Sequence, residues 1–344
     1  MRGVLASSRR NPSQGVRPQH VSADLSALGL AVGHATDQAG ATGLTIVRGV
    51  DRAFRCSAAV IGRATGTREL HAASPFHLVD RTDAVLLTGG SAYGLDAAAG
   101  AMRWLEERQR GHPVSGGVVP IVPAAVIFDL KPLGSFTARP TAAMAYDACD
   151  TATSIGIAEG SVGAGTGATV GKAAAIAGGM KGGVGIAVTD SGDLTTAAVA
   201  VVNALGDVRD ARGAIIAGAR GADGRFLDGA ALIAQGTVRR TVSDTALQHT
   251  TIAVVATNAC LTRIELSQVA QASAAGLFRR ITPTGTSFDG DVIFAVCPVE
   301  GPSATPSQVE GLAVTALENA VERAVRLAVG RDGIPGLADD RASK

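Results

Sequence analysis

Three kinds of side chain in this sequence could carry out chemistry together: a hydroxyl, a cation and a pair of carboxylates. Thr250 and Thr251 stand directly before one apolar run, and Asp289 and Asp291 stand directly before another. Lys172 ends a glycine-rich segment. A threonine at a chain terminus can act as a nucleophile with its own α-amine as the base. These residues therefore indicate an amide hydrolase, and because Thr250 is internal, the chain must first cut itself before that residue.

The chemistry of such a site is consistent with these residue types. A free α-amine has an ordinary pKa of about 7.7–8.0, which suits proton transfer from a hydroxyl near neutral pH. A lysine cation nearby favours the deprotonated hydroxyl. Amide donors near an asparagine can stabilise an oxyanion, for which one lost donor typically costs about 3 kcal/mol. Taken singly, each residue has an ordinary structural explanation, and their combination favours catalysis.

The glycine-rich segment also resembles nucleotide-binding loops. Residues 163–168 match the dinucleotide pattern G-x-G-x-x-A, and Gly171-Lys172 resembles the end of a phosphate-binding loop. The phosphate loop, however, needs glycine where Thr166 stands and Ser or Thr where Ala173 stands. Nucleotide binding is therefore disfavoured. Two interpretations remain, a turn that lets the backbone pack closely and a turn that brings Lys172 and backbone amides into an active site.

A second candidate nucleophile is Ser91, which follows a buried strand and two glycines and precedes a helix. This context is typical of a nucleophile elbow, but the G-x-S-x-G pattern requires glycine where Tyr93 stands. A catalytic triad would also need a late histidine, and only His112 and His249 follow. We therefore expect Ser91 to be a helix N-cap, and a serine hydrolase remains an alternative.

Composition restricts the class of protein. The formal charge of +1 lacks the basic excess of a nucleic-acid-binding protein. No apolar stretch approaches the roughly 18 residues that cross a membrane, and the first twenty residues contain no apolar block of the kind a secretory signal requires. We expect residues 1–24 to form a mobile tail and the protein to be cytoplasmic.

Neither a metal nor a cofactor is predicted. The six histidines show no metal-binding spacing. The four cysteines are widely scattered beside apolar residues without a C-x-x-C motif, and we expect buried free thiols in a reducing compartment. They are Cys56, Cys149, Cys260 and Cys297.

The pattern of apolar residues predicts interleaved strands and helices. Buried strands are predicted at residues 84–88 and 124–128, a helix at 95–105, and a hairpin from strands 185–189 and 194–202. Capping boxes are predicted at Thr262-x-x-Glu265 and Ser307-x-x-Glu310, the latter opening a helix that stops at Gly330. Mixed sheets covered by helices are favoured over a doubly wound parallel sheet. We expect one catalytic domain, residues 25–331, and a loose tail, residues 332–344.

The sequence resembles peptidase family S58, the DmpA-like or P1 family of L-aminopeptidase/D-esterases, β-aminopeptidases and nylon-oligomer hydrolases. The resemblance is closest to the nylon-hydrolase-like branch with a threonine nucleophile. The matching segments follow the family's order: residues 66–69, 87–95, 122–129, 139–141, 162–172, 181–185, 201–203, 250–252 and 288–291.

The resemblance implies an α/β fold, a four-layer αββα sandwich of the DmpA/ornithine-acetyltransferase type that resembles N-terminal-nucleophile hydrolases. The chain would cleave itself into residues 1–249 and residues 250–344, which stay associated, and processed units would form a homo-oligomer. Substrates would be small amides or peptides with a free amino end: β-peptides, D-amino acid amides, oligoamides and pantetheine-like amides all remain open.

The resemblance also implies residue roles. Thr250 would be the nucleophile, Lys172 would favour its deprotonated form, and Asn203 would bind the oxyanion. Asp289 and Asp291 would orient the lysine and the threonine amine. The residue before the cleavage site is where the sequence departs from the family, since many members have asparagine or glycine in place of His249. We expect cleavage nonetheless, and an unprocessed small-molecule-binding protein is the alternative.

Overall fold

The computed structural model describes residues 23–174, 178–236 and 249–339. Within these ranges β-strands form most of the central structure. The strands are β1 Leu30–Asp37, β2 Thr42–Gly49, β3 Arg55–Val60, β4 Thr67–Arg68, β5 Ala84–Thr88, β6 His112–Val114, β7 Gly117–Val119, β8 Ala124–Val126, β9 Thr169–Val170, β10 Met180–Lys181, β11 Gly183–Ser191, β12 Leu194–Asn203, β13 Asp207–Arg209, β14 Ile215–Ala217, β15 Thr250–Thr257, β16 Ile281–Thr282 and β17 Val292–Cys297.

The helices lie between and after these strands. The α-helices are α1 Ala98–Glu106, α2 Ala142–Asp150, α3 Gly229–Ala234, α4 Arg263–Arg280 and α5 Pro306–Arg326. Short 3-10 helices occupy Ser26–Leu28, Leu70–Ala73, Ser91–Ala97, Gly163–Gly165 and Lys172–Ala174.

Two five-stranded sheets form the centre of the molecule. The first has the order β1-β2-β5-β8-β4 and the second the order β11-β12-β15-β17-β3. Each is mixed, since β5 pairs with β8 and β15 pairs with β17 in parallel while the other pairs in these two sheets are antiparallel. The predicted hairpin is confirmed as β11 and β12, which are joined at Gly192 and Asp193.

The alternation of side chains along the strands explains the four layers. One apolar cluster joins the facing sides of the two sheets, for example Val85 and Leu87 of β5 with Val254 of β15. A second lies between the first sheet and helices α1 and α2, and a third lies between the second sheet and helices α4 and α5. Because each sheet is covered on both faces, its central strands β5 and β17 are buried along their whole length. The expected αββα sandwich is confirmed.

The capping box at Thr262 and Glu265 is present and begins α4. The box predicted at Ser307 is wrong: α5 begins two residues earlier, with Thr305 as N-cap and Gln308 as its partner. Proline at the first helical position has a fixed φ that suits the helix start, and Pro306 takes that place.

Other predictions change in detail. The predicted helix 95–105 is a 3-10 helix up to Ala97 and an α-helix afterwards. The tail is not loose as far as Asp339, whose carboxylate accepts hydrogen bonds from Gly330 and Gly336. Residues 1–22 and 340–344 lie outside the described residues. All four cysteines are free, and all but Cys260 are buried.

Candidate active site

Thr250 begins β15 beside the carbonyl group of the residue before it. Its Oγ1 lies 2.5 Å from the His249 carbonyl oxygen, and the Gly290 amide donates to the same oxygen over 3.0 Å. Glycine is required at 290, since a Cβ there would lie 2.5 Å from the Ala64 carbonyl oxygen and 2.8 Å from Thr250 Oγ1. The peptide carbonyl therefore lies between a hydroxyl and a backbone N–H.

Lys172 and Asn203 lie next to Thr250. Asn203 ends β12 and is the register partner of Thr250 on β15, and directly opposed side chains have Cβ atoms about 5 Å apart. The buried Lys172 Nζ donates to the side-chain oxygen of Asn203 over 2.8 Å and to its carbonyl oxygen over 3.1 Å. The Asn203 side-chain amide donates to the Phe128 carbonyl oxygen over 3.2 Å. Lysine, asparagine and threonine thus form one cluster.

The two aspartates have different contacts. Asp291 Oδ1 accepts a hydrogen bond from the Thr251 amide over 2.6 Å, and its Oδ2 accepts from Thr284 Oγ1 over 2.8 Å and from the Gly285 amide over 3.1 Å. Asp289 Oδ2 accepts from the Thr286 amide over 2.8 Å. Asp291 therefore fixes the backbone of β15 one residue after the candidate nucleophile.

Burial and a neighbouring carboxylate both act on the charge of Asp291. Desolvation and the neighbouring Asp289 raise the pKa of Asp291 to about 7, against the hydrogen bonds that favour its ionised form. Asp291 thus changes its charge close to neutral pH. Such a raised carboxyl pKa in an enclosed cluster is typical of functional sites.

The glycine-rich segment is a close-packed turn that leads to Lys172. The amide of Thr169 donates to the Asn203 side-chain oxygen over 3.0 Å. Gly171 has a φ of 69°, and a Cβ there would lie 2.1 Å from the Gly218 carbonyl carbon. Glycine is needed here for both conformation and space.

Sequence reasoning assigned no role to Lys181, which holds this turn. Its side chain is 1% exposed, and its Nζ donates to the carbonyl oxygens of Ala168 over 2.7 Å, Thr166 over 2.8 Å and Gly165 over 3.4 Å. Burial lowers the pKa of Lys181 to about 7. In the sequence, the only indication of this role is that Lys181 is followed directly by two glycines and an apolar run.

Asp129 is a second missed residue, at the end of the first sheet. It accepts hydrogen bonds from Thr42 Oγ1 over 2.7 Å and from the Gly90 amide over 2.6 Å. Burial raises its pKa to about 6. Asp129 thus joins the turn after β5 to the segment after β8, beside the Phe128 carbonyl that holds Asn203.

Ser91 is not the N-cap that the sequence predicted. Gly90 occupies that position, with a φ of 80°, and Ser91 is the first residue of the 3-10 helix, with a left-handed φ of 53°. Its amide donates to the Ile127 carbonyl oxygen over 3.0 Å. A left-handed φ is uncommon outside glycine, so the turn is sharp, as in an elbow.

The part of the chain that the structure describes contains neither a cluster of metal ligands nor a membrane-spanning helix. No group of three or more His, Cys, Asp or Glu side chains in that part of the chain is placed to hold a metal ion. No helix there combines the length and the apolar character needed to cross a membrane.

The sequence is similar to proteins described as amide hydrolases. It is 44% identical over 243 residues to an uncharacterized aminopeptidase of Mycobacterium leprae (strain TN), a match covering 68% of this chain and 65% of that protein, which is less than two thirds. It is 30% identical over 274 residues to the 6-aminohexanoate-oligomer endohydrolase of Paenarthrobacter ureafaciens, covering 78% and 72% of the two chains.

The fold is similar to those of solved aminopeptidases. A Burkholderia sp. β-aminopeptidase superimposes with a TM-score of 0.67 at 19% identity, covering 95% of both chains. An L-aminopeptidase D-Ala-esterase/amidase from Ochrobactrum anthropi, described as a variant of the Ntn hydrolase fold, gives the same score and identity over 95% and 94% of the two chains. These similarities establish the fold.

The model of peptidase family S58 matches residues 25–332, which is most of the chain. The match begins near β1 and continues past α5, and it includes every candidate site residue from Lys172 to Asp291. The resemblance inferred from motifs is thereby confirmed. The chain belongs to peptidase family S58.

Proposed function

We propose that this protein is a self-processing amidohydrolase that uses Thr250 as its nucleophile. One observation carries the proposal: the His249 carbonyl oxygen lies 2.5 Å from Thr250 Oγ1 and 3.0 Å from the Gly290 amide nitrogen. The second distance is in the range of 2.7–3.1 Å typical of an oxyanion donor. The uncleaved chain thus holds its own peptide bond as a substrate.

This geometry supports the following route of self-cleavage. Thr250 Oγ1 adds to the His249 carbonyl carbon, and the negative charge that develops on the oxygen is stabilised by the Gly290 amide. The carbon–nitrogen bond then breaks, and the Thr250 nitrogen takes the proton that the hydroxyl loses. Water hydrolyses the resulting ester and leaves a carboxyl group on His249 and a free amine and hydroxyl on Thr250.

Hydrolysis of an external amide repeats these steps. The ester on Thr250 Oγ1 is the same kind of intermediate, so a substrate carbonyl would take the place of the His249 carbonyl and use the same Gly290 donor. The new Thr250 amine serves as the base. In the uncleaved chain the Asn203 side-chain amide donates to the Phe128 carbonyl oxygen and is therefore already paired. We propose that the main role of Asn203 is to position Lys172.

The remaining charged residues support the nucleophile. Lys172 is 2% exposed, and a buried cation in this cluster favours the deprotonated hydroxyl of Thr250. Asp291 holds the Thr251 amide and so limits movement of the nucleophile. We further propose a cytoplasmic protein whose two fragments, residues 1–249 and 250–344, stay together and assemble as a homo-oligomer.

The names of the relatives support a substrate class. Because they are named as aminopeptidases and as a 6-aminohexanoate-oligomer endohydrolase, we propose linear peptides or oligoamides with a free amino end. The exposed fraction of Thr250 is 5% in the uncleaved chain. Substrate access therefore requires the cleavage product at His249 to move away from the nucleophile.

A pair of neighbouring variants tests the nucleophile. Thr250→Val removes the proposed nucleophile, whereas Thr251→Val makes the same change at a buried hydroxyl without a hydrogen bond among the described residues. Intact-mass spectrometry should show only full-length chain for Thr250→Val. It should show two fragments for the wild-type protein, for Thr251→Val and for Ser91→Ala.

Hydrolysis should follow cleavage in these variants. If Thr250→Val is cleaved at the same bond, or is uncleaved but as active on amides as the wild type, the mechanism is wrong. If Ser91→Ala is cleaved and folded but inactive, the nucleophile is Ser91. A wild-type chain that stays whole and inactive would favour the alternative in which His249 prevents processing and the protein only binds a small molecule.

A further inference from the structure

A guanidinium group lies between two exposed aromatic rings, in segments that follow strands β5 and β8 of the first sheet. The Arg139 guanidinium carbon is 4.3 Å from the centroid of the Tyr93 ring and 5.4 Å from that of the Phe136 ring. The two aromatic residues are 60% and 48% exposed. Aromatic residues make up only 3% of the sequence. We call these three residues the aromatic–arginine cluster.

Arg139 is held in place through one edge of its guanidinium group. Its Nη1 donates to the carbonyl oxygens of Phe136 and Ala138, and stacking on Tyr93 fixes the plane of the group. Within residues 23–174, 178–236 and 249–339, no carboxylate forms an ion pair with Arg139, and the hydrogen bonds of its side chain there all come from Nη1. The remaining nitrogens are available to a ligand.

The cluster lies at the same end of the sandwich as the nucleophile. Strands β5 and β8 run parallel, so their carboxyl ends lie at the same end of the first sheet. The segments that follow them contain Gly90 and Phe128. The Phe128 carbonyl oxygen accepts from Asn203, the register partner of Thr250. The end of the first sheet therefore adjoins the candidate active site.

Direct contacts connect that end of the first sheet with Arg139. The Gly90 amide donates to the Asp129 carboxylate over 2.6 Å. Pro140, the neighbour of Arg139, packs so closely on Gly90 that a Cβ there would lie 2.7 Å from the proline Cδ. Tyr93 belongs to the 3-10 helix that starts directly after Gly90. The cluster is thus fixed rigidly to the segment beside Asn203.

We propose that the aromatic–arginine cluster is a substrate subsite that binds a carboxylate at the end of a linear amide remote from the scissile bond. Arginine presents paired N–H groups that match a carboxylate, and the exposed faces of Tyr93 and Phe136 suit the apolar chain that leads to it. The inference rests on the proposed function, because it takes the substrate to be a linear peptide or oligoamide.

A pair of probes isolates the carboxylate. The linear trimer of 6-aminohexanoate with a free carboxylate is compared with the same trimer ending in a carboxamide. We expect the wild-type protein to cleave the acid with a kcat/KM about fivefold higher, mainly through a lower KM, since about fivefold is the upper range for one exposed ion pair. In Arg139→Gln the ratio should fall to about one because the advantage of the acid is lost, and Arg139→Lys should keep part of the preference.

Arg103→Gln is the matched control, because Arg103 stacks on Tyr146 at 4.6 Å on the outer helices α1 and α2. It should leave the ratio unaltered, and intact mass should show that each variant still cleaves itself. A ratio in Arg139→Gln equal to that of the wild type, or an equal loss with both trimers, would overturn the subsite.

Failure of the proposed function gives a different result. If the wild-type protein cleaves neither trimer, hydrolysis of these amides is excluded, and calorimetric titration with the same trimers tests the subsite separately. Binding of the acid alone, lost in Arg139→Gln, would support the subsite. Equal binding of acid and carboxamide, or no binding of either, would overturn it.

Discussion

Replacing the buried Lys181 by methionine should remove a pH-dependent part of the stability. The ordinary pKa of lysine in an unfolded chain is 10.5, and burial lowers it to about 7 in the folded protein. Between these two values the unfolded chain binds more protons than the folded chain, so the free energy of unfolding rises with pH. The folded protein favours the neutral form of Lys181, so the cost of burying this lysine increases, and the free energy of unfolding decreases, as the pH falls from 10.5 towards 7.

The size of the effect follows from these two values. With a folded pKa of about 7 and an unfolded pKa of 10.5, the free energy of unfolding should rise by about 2 kcal/mol between pH 7 and pH 8.5. The raised pKa of Asp129, about 6, and that of Asp291, about 7, act mainly below this window. The buried Cys56 and Cys149 have pKa values raised from 9.0 to about 12, and act above it.

The measurement is urea unfolding between pH 7 and pH 8.5, in a Thr250→Ala background so that the chain stays whole. The difference between this parent and the same protein with Lys181→Met cancels all other titrating groups. We expect the difference to change by about 2 kcal/mol across the window. Methionine also removes the donors to Gly165, Thr166 and Ala168, a loss that shifts the difference by a constant.

Parallel stability curves for the two proteins would refute this reasoning. They would mean that Lys181 keeps an ordinary pKa, and therefore that the ammonium group is solvated or better paired than its three carbonyl contacts indicate. Lys181→Arg is a useful comparison, because arginine stays charged throughout this range. Its stability difference from Lys181→Met should not vary with pH.

Two further predictions concern the candidate active site. Lys172→Met and Asp289→Asn should each slow self-cleavage and hydrolysis, and the losses in kcat should be strongly non-additive if both residues act through one unit; fully additive losses would mean that they serve separate functions. Thr284→Val removes a hydrogen bond to the Asp291 carboxylate and should raise the pKa of that carboxylate further. The acidic limb of the pH profile of self-cleavage should then move to higher pH. Thr284→Ser should restore the original profile, and an unshifted profile in Thr284→Val would exclude Asp291 as the group that sets this limb.

The elements that depend on local sequence were predicted well. Strand β5 and the hairpin of β11 and β12 follow from continuous apolar runs and a two-residue turn. The capping box that begins α4 needs only residues three apart. The start of α5 was misplaced because two hydroxyl-containing residues compete there, and Pro306 decides in favour of Thr305.

Residues that reach the site through tertiary structure were found less readily. Residue type made Lys172 and Asp291 candidates, but only the family resemblance gave them and Asn203 roles in one site, since their spacing in the sequence does not show that they meet. Gly290 carries no side chain, and only the pairing of β15 with β17 places its amide on the His249 carbonyl oxygen. Thr284 is a hydroxyl in a loop, and nothing nearby in the sequence connects it with a carboxylate.

Strand register explains why the first threonine of the pair, and not the second, is the candidate nucleophile. Neighbouring residues of a strand direct their side chains to opposite faces. Thr250 is opposite Asn203 in the β12–β15 pair, whereas Thr251 is opposite Val202. A shift of one residue would bring Thr251 beside Asn203 and Lys172, and it would also reverse every apolar side chain of β15. Because both faces of this strand are packed against apolar clusters, the core of the protein determines which hydroxyl reaches the site.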